Sequence, residues 1–156
     1  MKRFLLVAVV AFCAMSLCAS LPAVALKDIN GQHINTADIG TTGKPVIISF
    51  FATWCKPCLR ELKAIDELYA DWQEETGVEM FIVSTDQGQD VQKVKPFVDG
   101  YGWEYHVLLD PDGSFKRAMN VQHIPHLFVL DRTGKIVYNH MGYVEGEEKE
   151  IPKYLK

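Results

Sequence analysis

Two cysteines separated by two residues, Cys55 and Cys58, stand between an apolar run and an amphipathic segment. The run Val46–Phe51 is short, rich in β-formers and preceded by a Gly-Lys-Pro turn, which predicts a buried central strand. From Pro57 to Gly77, apolar residues recur at steps of three and four, which predicts an amphipathic helix of about five turns. The cysteine pair is therefore expected at a strand-to-helix junction.

Later segments extend this unit into a mixed sheet. Val78–Ser84 is a second apolar run, so strand, helix and strand form a right-handed parallel crossover. Val91–Tyr101 is predicted to be a helix, in which Pro96 introduces a kink or marks a later start. Runs at 127–130 and 135–140 flank a glycine-containing turn and predict an antiparallel hairpin. The order indicates an α/β domain with a mixed central sheet and helices on both faces, the thioredoxin pattern when cysteines occupy the first junction.

The first 25 residues have the pattern of a secretory signal peptide. Positive charge in the first three residues precedes an apolar stretch from Phe4 to Cys18, and residues 23–25 supply the small side chains of a cleavage site. We therefore predict a signal peptide at 1–25 and a thioredoxin-like domain at 26–156. An uncleaved membrane anchor is the alternative, because about twenty apolar residues can span a bilayer. Lipidation of Cys13 or Cys18 is disfavoured, because a large residue precedes each of them.

Composition limits the classes of partner and the role of the cysteines. Cleavage after Ala25 would leave Cys55 and Cys58 as the only thiols and would lower the net charge of −4 by two units. An acidic domain without a basic run is a poor binder of nucleic acid, because lysine and arginine contacts to phosphate supply most of that affinity. Two cysteines this close in sequence cannot close a long loop, so reactivity explains them better than cross-linking does.

The junction predicts a different role for each cysteine. Cys55 would lie at the positive end of the helix dipole, beside the cation of Lys56, and both favour its thiolate. Pro57 suits the first helical turn, because it lacks the N–H that would be unpaired there, and it stiffens the motif. Cys58 lies one turn further on and is spaced to attack a mixed disulfide and release the product.

Two alternatives for the cysteine pair remain open at this point. A structural zinc site would need two more ligands, and His123 and His126 are the candidates by residue type. An inert structural disulfide is the other alternative. We expect neither, and we predict no metal and no cofactor beyond a redox-active disulfide between Cys55 and Cys58.

The segment Phe50–Cys58 resembles the active-site segment of the TlpA/ResA-like thioredoxin family. Segments at 101–103, 107–113, 121–131 and 134–137 are similar to the same family in the same order, and the resemblance covers most of Leu26–Lys156. It implies a thioredoxin fold and a thiol-disulfide oxidoreductase.

The resemblance also implies how a substrate is recognised. In the family, the X-Pro bond before a sheet strand is cis and lies against the cysteine pair, and here it is Ile124–Pro125. The backbone of Ile124 is then expected to pair with an extended substrate peptide. Trp54 is expected to shield the disulfide and offer an apolar contact, with core packing as the alternative. His126 stands where the family often has threonine, so it either stabilises the thiolate or packs against the strand.

Glu61 lies three residues after Cys58, on the same face of the predicted helix. The resemblance implies that this acid accepts and donates the proton of Cys58. The alternative is an ordinary helix glutamate favoured by the macrodipole. Ser49 occupies the position at which cytosolic thioredoxins place a buried aspartate, which transfers acid-base chemistry toward Glu61. The proline that follows this acid in the family is absent, because Leu62 and Lys63 follow it here.

These features predict a periplasmic or otherwise extracytoplasmic protein-disulfide reductase. We expect it to be a monomer that passes electrons from a membrane thiol-disulfide donor to disulfides in other exported proteins, including apocytochrome c. A proline before the second cysteine favours a reductant, since strong oxidases tend to place histidine there. A disulfide oxidase or isomerase is one alternative, and a metallochaperone using Cys55, Cys58 and a histidine is another. A peroxidase is disfavoured, because a peroxidatic cysteine needs surroundings that a CxxC pair does not require.

Overall fold

A computed structural model describes residues 21–156, and the predictions made for residues 1–20, including Cys13 and Cys18, lie outside them. One mixed sheet has the strand order β2-β1-β5-β4-β3-β6-β7. Its strands are β1 Ala25–Asp28, β2 His33–Asn35, β3 Val46–Phe51, β4 Glu79–Ser84, β5 His106–Leu109, β6 His126–Leu130 and β7 Ile136–Met141. The α-helices are α1 Lys56–Thr76, α2 Val91–Tyr101 and α3 Ser114–Ala118, and a 3-10 helix spans Glu147–Tyr154.

The central part of the sheet confirms the predicted α/β order. Strands β3, β4 and β5 are parallel, whereas β6 runs antiparallel to β3 and β7 antiparallel to β6. Helix α2 continues through Pro96, so the predicted later start is wrong. Strands β1 and β2 were not predicted, because they are only four and three residues long and carry little apolar alternation.

Capping residues and a proline fix the two ends of helix α1. Cys55 is its N-cap in extended conformation, and Pro57 occupies the first turn. Gly77 ends the helix with a φ of 73°, a left-handed conformation that glycine adopts without steric cost. The apolar face of α1 buries side chains that include Leu62 and Ile65 against the sheet.

The core lies on both faces of β3, all six residues of which are buried. Ile47 and Phe51 pack on the face that α1 covers. Val46, Ile48 and Phe50 pack on the opposite face, where Phe50 contacts Phe115 of α3 with ring centroids 5.3 Å apart. Burial on both faces explains why this strand reads as a continuous apolar run.

The segment before β1 packs into the same domain. Leu21 is buried in the cluster on the α3 face of the sheet. The Thr36 hydroxyl donates to the carbonyl of Pro22 and accepts from the N–H of Val24 at 2.9 Å. Residues 21–25, which cleavage after Ala25 would remove, therefore contribute contacts to the folded domain.

Candidate functional site

Cys55 and Cys58 form a disulfide at the N-terminus of α1. The Cys55 sulfur accepts the backbone N–H of Cys58 at 3.3 Å, so it lies among the N–H groups that a helix leaves unpaired at its start. Cys55 is 5% exposed and Cys58 is 0% exposed, whereas Lys56 and Pro57 are exposed. The outer sulfur is therefore the one an incoming group can reach, and the inner sulfur lies behind it.

A buried carboxylate fixes the turn that leads into the disulfide. Asp86 is 1% exposed and accepts the backbone N–H of Thr53 at 2.9 Å and its hydroxyl at 2.7 Å. The Ser84 hydroxyl donates to the same carboxylate at 2.8 Å. Asp86 was not predicted from the sequence, although the polar Ser-Thr-Asp cluster at the carboxyl end of a strand next to β3 was a usable signal.

The disulfide opens onto a groove of about 780 Å³. Trp54 is 67% exposed at its wall, so the core-packing alternative for this residue is wrong. The Ile124–Pro125 bond is cis, as the resemblance implied, and Ile124 lines the groove together with the exposed His123. The groove is lined by Trp54, Cys55, Lys56, Pro57, Thr85, Gln87, Asp90, Lys116, Gln122, His123 and Ile124.

His126 packs beside this site. Its ring stacks on Phe128 with centroids 4.3 Å apart, and its Nε2 lies 3.5 Å from Oδ1 of Asn139. Burial lowers the pKa of His126, because the imidazolium loses solvation there. A neutral ring at neutral pH favours the packing role over thiolate stabilisation.

Glu61 lies on the buried face of α1, with 1% of its surface exposed. The Ser49 hydroxyl donates to its Oε2 at 2.7 Å, and Nε2 of His140 lies 2.9 Å from its Oε1. Each carboxylate oxygen therefore has a partner from a different strand. This environment does not fit an ordinary solvated helix glutamate.

His140 was not identified from the sequence, and register explains its position. His140 of β7 pairs with Leu127 of β6, and Leu127 pairs with Ser49 of β3. Residues paired across adjacent strands project to the same face of a sheet, so this row lies under α1, where Glu61 bridges its two ends. Because His140 is 79 residues from Glu61 in sequence, no local pattern could reveal the contact.

Within residues 21–156, no group of three or more histidine, cysteine, aspartate or glutamate side chains is placed to hold a metal ion. The redox-active pair Cys55–Cys58 is the reactive group that this site contains.

The family model described as the AhpC/TSA family matches residues 18–139. The chain belongs to this family. It is 33% identical over 135 residues to the thiol-disulfide oxidoreductase ResA of Bacillus thuringiensis subsp. konkukian, a match that covers 86% of this chain and 74% of that protein. It is also 30% identical over 129 residues to the thioredoxin-like protein YneN of Bacillus subtilis, covering 83% of this chain and 74% of that protein.

Solved structures show the same fold. The solution structure of an uncharacterized thioredoxin-like protein from Porphyromonas gingivalis is 64% identical and superimposes with a TM-score of 0.77, over 86% of this chain and 88% of that one. These similarities confirm a thiol-disulfide oxidoreductase of the ResA/TlpA-like group in the thioredoxin superfamily, with a thioredoxin fold. An enzyme of this class exchanges with disulfide-bearing substrates.

Proposed function

We propose that this protein is an exported disulfide reductase that transfers electrons to disulfides of other exported proteins. The observation that carries the proposal is the arrangement of its two sulfurs. Cys55 lies at a helix N-terminus beside an open groove, and Cys58 lies fully buried behind it. One thiol is thus accessible to a substrate, and the other can act only after Cys55 has reacted.

The proposed reaction is a two-electron exchange. The Cys55 thiolate attacks one sulfur of a substrate disulfide, forming a mixed disulfide and releasing the other substrate sulfur as a thiolate. The Cys58 thiolate then attacks the Cys55 sulfur, which forms the Cys55–Cys58 disulfide and releases the second substrate thiolate. The substrate is reduced and the enzyme oxidised, and a membrane dithiol donor restores the reduced enzyme.

Neighbouring residues have proposed roles in this cycle. Lys56 and the helix N-terminus favour the Cys55 thiolate, and Pro57 holds the motif in its first helical turn. Glu61 accepts the proton of the Cys58 thiol. Substrate docks along the groove against Trp54, and its backbone pairs with Ile124 next to Pro125.

We further propose that residues 1–25 form an export leader, cleaved or kept as an anchor, and that 26–156 is the functional domain. Within residues 21–156 the structure contains no helix with the length and apolar character needed to cross a membrane. The protein would act as a monomer in the periplasm or another extracytoplasmic space, with apocytochrome c among its substrates.

A trapping experiment tests the exchange reaction. Cys58→Ser should accumulate mixed disulfides through Cys55, because attack on the substrate proceeds while release requires the second thiolate. The adducts should appear as larger species on non-reducing gels and collapse with dithiothreitol, and mass spectrometry should identify exported proteins with disulfides.

The double variant Cys55→Ser/Cys58→Ser is the matched control and should form no adduct. If the single variant forms no Cys55-dependent adduct in cells that express it, the reductase proposal is wrong. Metal analysis of the reduced protein would then test the metallochaperone alternative.

A further inference from the structure

A buried acid that exchanges a proton needs a neighbour that stabilises both of its charge states, and His140 occupies that position here. Its Nε2 lies 2.9 Å from Oε1 of Glu61, and its side chain is 12% exposed. Burial of an isolated carboxylate is costly in a medium of low dielectric constant. Among residues 21–156, no lysine or arginine forms an ion pair with Glu61. The histidine is thus its ionisable partner.

We propose that His140 is a positioning residue of the exchange reaction, which orients the Glu61 carboxyl group by donating a hydrogen bond to Oε1 while Glu61 takes the proton of Cys58. This inference rests on the proposed function, because it assigns a role to His140 only if Cys58 acts as the resolving thiol. Glu61 lies one helical turn from Cys58, on the same buried face of α1.

The hydrogen bonds indicate which nitrogen of His140 carries its proton. Nδ1 of His140 is buried and has no partner among the described residues. A proton placed on Nε2 is donated to Glu61 in a charge-assisted hydrogen bond, whereas a proton placed on Nδ1 would be buried without an acceptor. The neutral ring therefore donates through Nε2, and with the Ser49 hydroxyl it gives each carboxylate oxygen one donor.

The proton balance follows from this arrangement. Before resolution, the carboxylate and the neutral ring carry one negative charge together. When Cys58 loses its proton to become the attacking thiolate, the pair gains it and becomes neutral overall. The proton resides on Glu61, whose protonated Oε2 then donates to the Ser49 hydroxyl oxygen, while Nε2 of the neutral His140 ring keeps donating to Oε1. This form places no positive charge in the interior.

Other titratable groups near the pair do not offer the same exchange. Burial raises the pKa of Tyr138 and, to about 12, that of Tyr143, so both phenols stay protonated near neutral pH. Tyr143 donates to Glu148 at 2.9 Å rather than to Glu61. Glu145, Glu147 and Glu150 are further acidic groups around these tyrosines. His126 on β6 has a lowered pKa because of its burial.

The rate at which the mixed disulfide resolves should depend on His140. We suggest measuring the decay of the mixed disulfide between Cys55 and a synthetic peptide across neutral and mildly acidic pH. His140→Leu, which leaves Oε1 unpaired, should slow decay about tenfold, part of the roughly 10² to 10⁴ that acid-base catalysis contributes. His140→Gln should lose less, because its amide can still donate a hydrogen bond to Oε1.

Comparison with Glu61→Gln separates this role from a structural one. If the pair acts as a unit, His140→Leu should add little to the loss already caused by Glu61→Gln. Independent, multiplying losses in the double variant, or decay as fast as that of the wild type in both His140 variants, would overturn the inference. His106→Gln, on the exposed surface of β5, is the matched histidine control and should leave the rate unchanged. Thermal melting identifies misfolding, and His140→Gln decides the question if His140→Leu does not fold.

The two proposals fail in different ways. If the wild-type protein forms no Cys55-dependent mixed disulfide with the peptide, the proposed function is wrong. If it forms and resolves that species while both His140 variants match it at every pH, only the role of His140 is wrong.

Discussion

At the scale of single residues, two buried acids follow the disulfide in the sequence. Glu61 and Asp86 are almost fully buried, and each has hydrogen-bond partners, as groups in a low-dielectric interior require. The sequence could point to Glu61, because its spacing from Cys58 is local. It could not point to His140, because that contact depends on the register of three strands.

His126 should make the protein less stable in acid. Its pKa in the folded state lies below the ordinary value of 6.5 because of burial. As pH falls below that value, the unfolded chain binds a proton before the folded chain does, so the free energy of unfolding decreases by up to about 1.4 kcal/mol per unit of pKa depression. Well above pH 6.5, His126 is neutral in both the folded and the unfolded chain, so this loss of stability is absent.

His126→Phe keeps a ring that can stack on Phe128 and removes the titration. Denaturant unfolding of the oxidised proteins at several values from about pH 7.5 to about pH 5 should show a shallower loss of stability in this variant. Parallel curves for wild type and variant would contradict the assignment.

At the scale of elements, the sequence predicted those segments whose pattern is local and strong. The continuous apolar run of β3 and the periodic face of α1 both reflect burial against neighbours that follow closely in the chain. Strands β1 and β2 are short, and pairing with each other and with β5 defines them. Their formation depends on tertiary contacts, which explains why local propensity did not predict them.

Two turns meet where the loop before β3 approaches the β6–β7 hairpin, and glycine permits this contact. Gly134 has a φ of 80°, and a Cβ there would lie 2.9 Å from the carbonyl oxygen of Gly40. Gly134→Ala should therefore cost at least about 2 kcal/mol, from backbone strain together with this clash. Thermal or denaturant unfolding measures the loss.

Gly43→Ala is the matched control for this experiment. Gly43 has a φ of 76°, yet nothing lies within 4 Å of the Cβ that it would gain. It should cost only the strain of a left-handed alanine, about 1 kcal/mol. Equal losses in the two variants would show that the contact between the turns has no energetic importance.

At the scale of the whole molecule, the site draws on distant parts of the chain. The disulfide begins α1, the cis-proline loop precedes β6, and the partner of Glu61 comes from β7 at the edge of the sheet. The resemblance located the first two, because they are contiguous motifs. Only the folded sheet brings the third beneath α1.

The direction of electron flow depends on the reduction potential, which reflects the relative stability of the oxidised and reduced forms of the whole protein. Proline before the second cysteine is typical of reducing thioredoxins, so we expect a potential near roughly −270 mV rather than about −120 mV. Equilibration with a glutathione or dithiothreitol buffer measures it.

Pro57→His provides the matched variant for this measurement. A histidine there should stabilise the reduced form and raise the potential, as in strong oxidases. A wild-type value above about −180 mV would assign the protein to the oxidase or isomerase class instead.

The exposure of Trp54 has an optical consequence. Trp72 and Trp103 are 6% and 7% exposed, whereas Trp54 is 67% exposed and directly precedes Cys55. A dissolved collisional quencher will therefore reach one indole freely and be largely kept from the other two. Emission from that indole originates beside the reactive sulfur, and a polypeptide lying in the groove would cover it. The fold thus contains an intrinsic fluorophore at the place where its chemistry and its binding can both be observed.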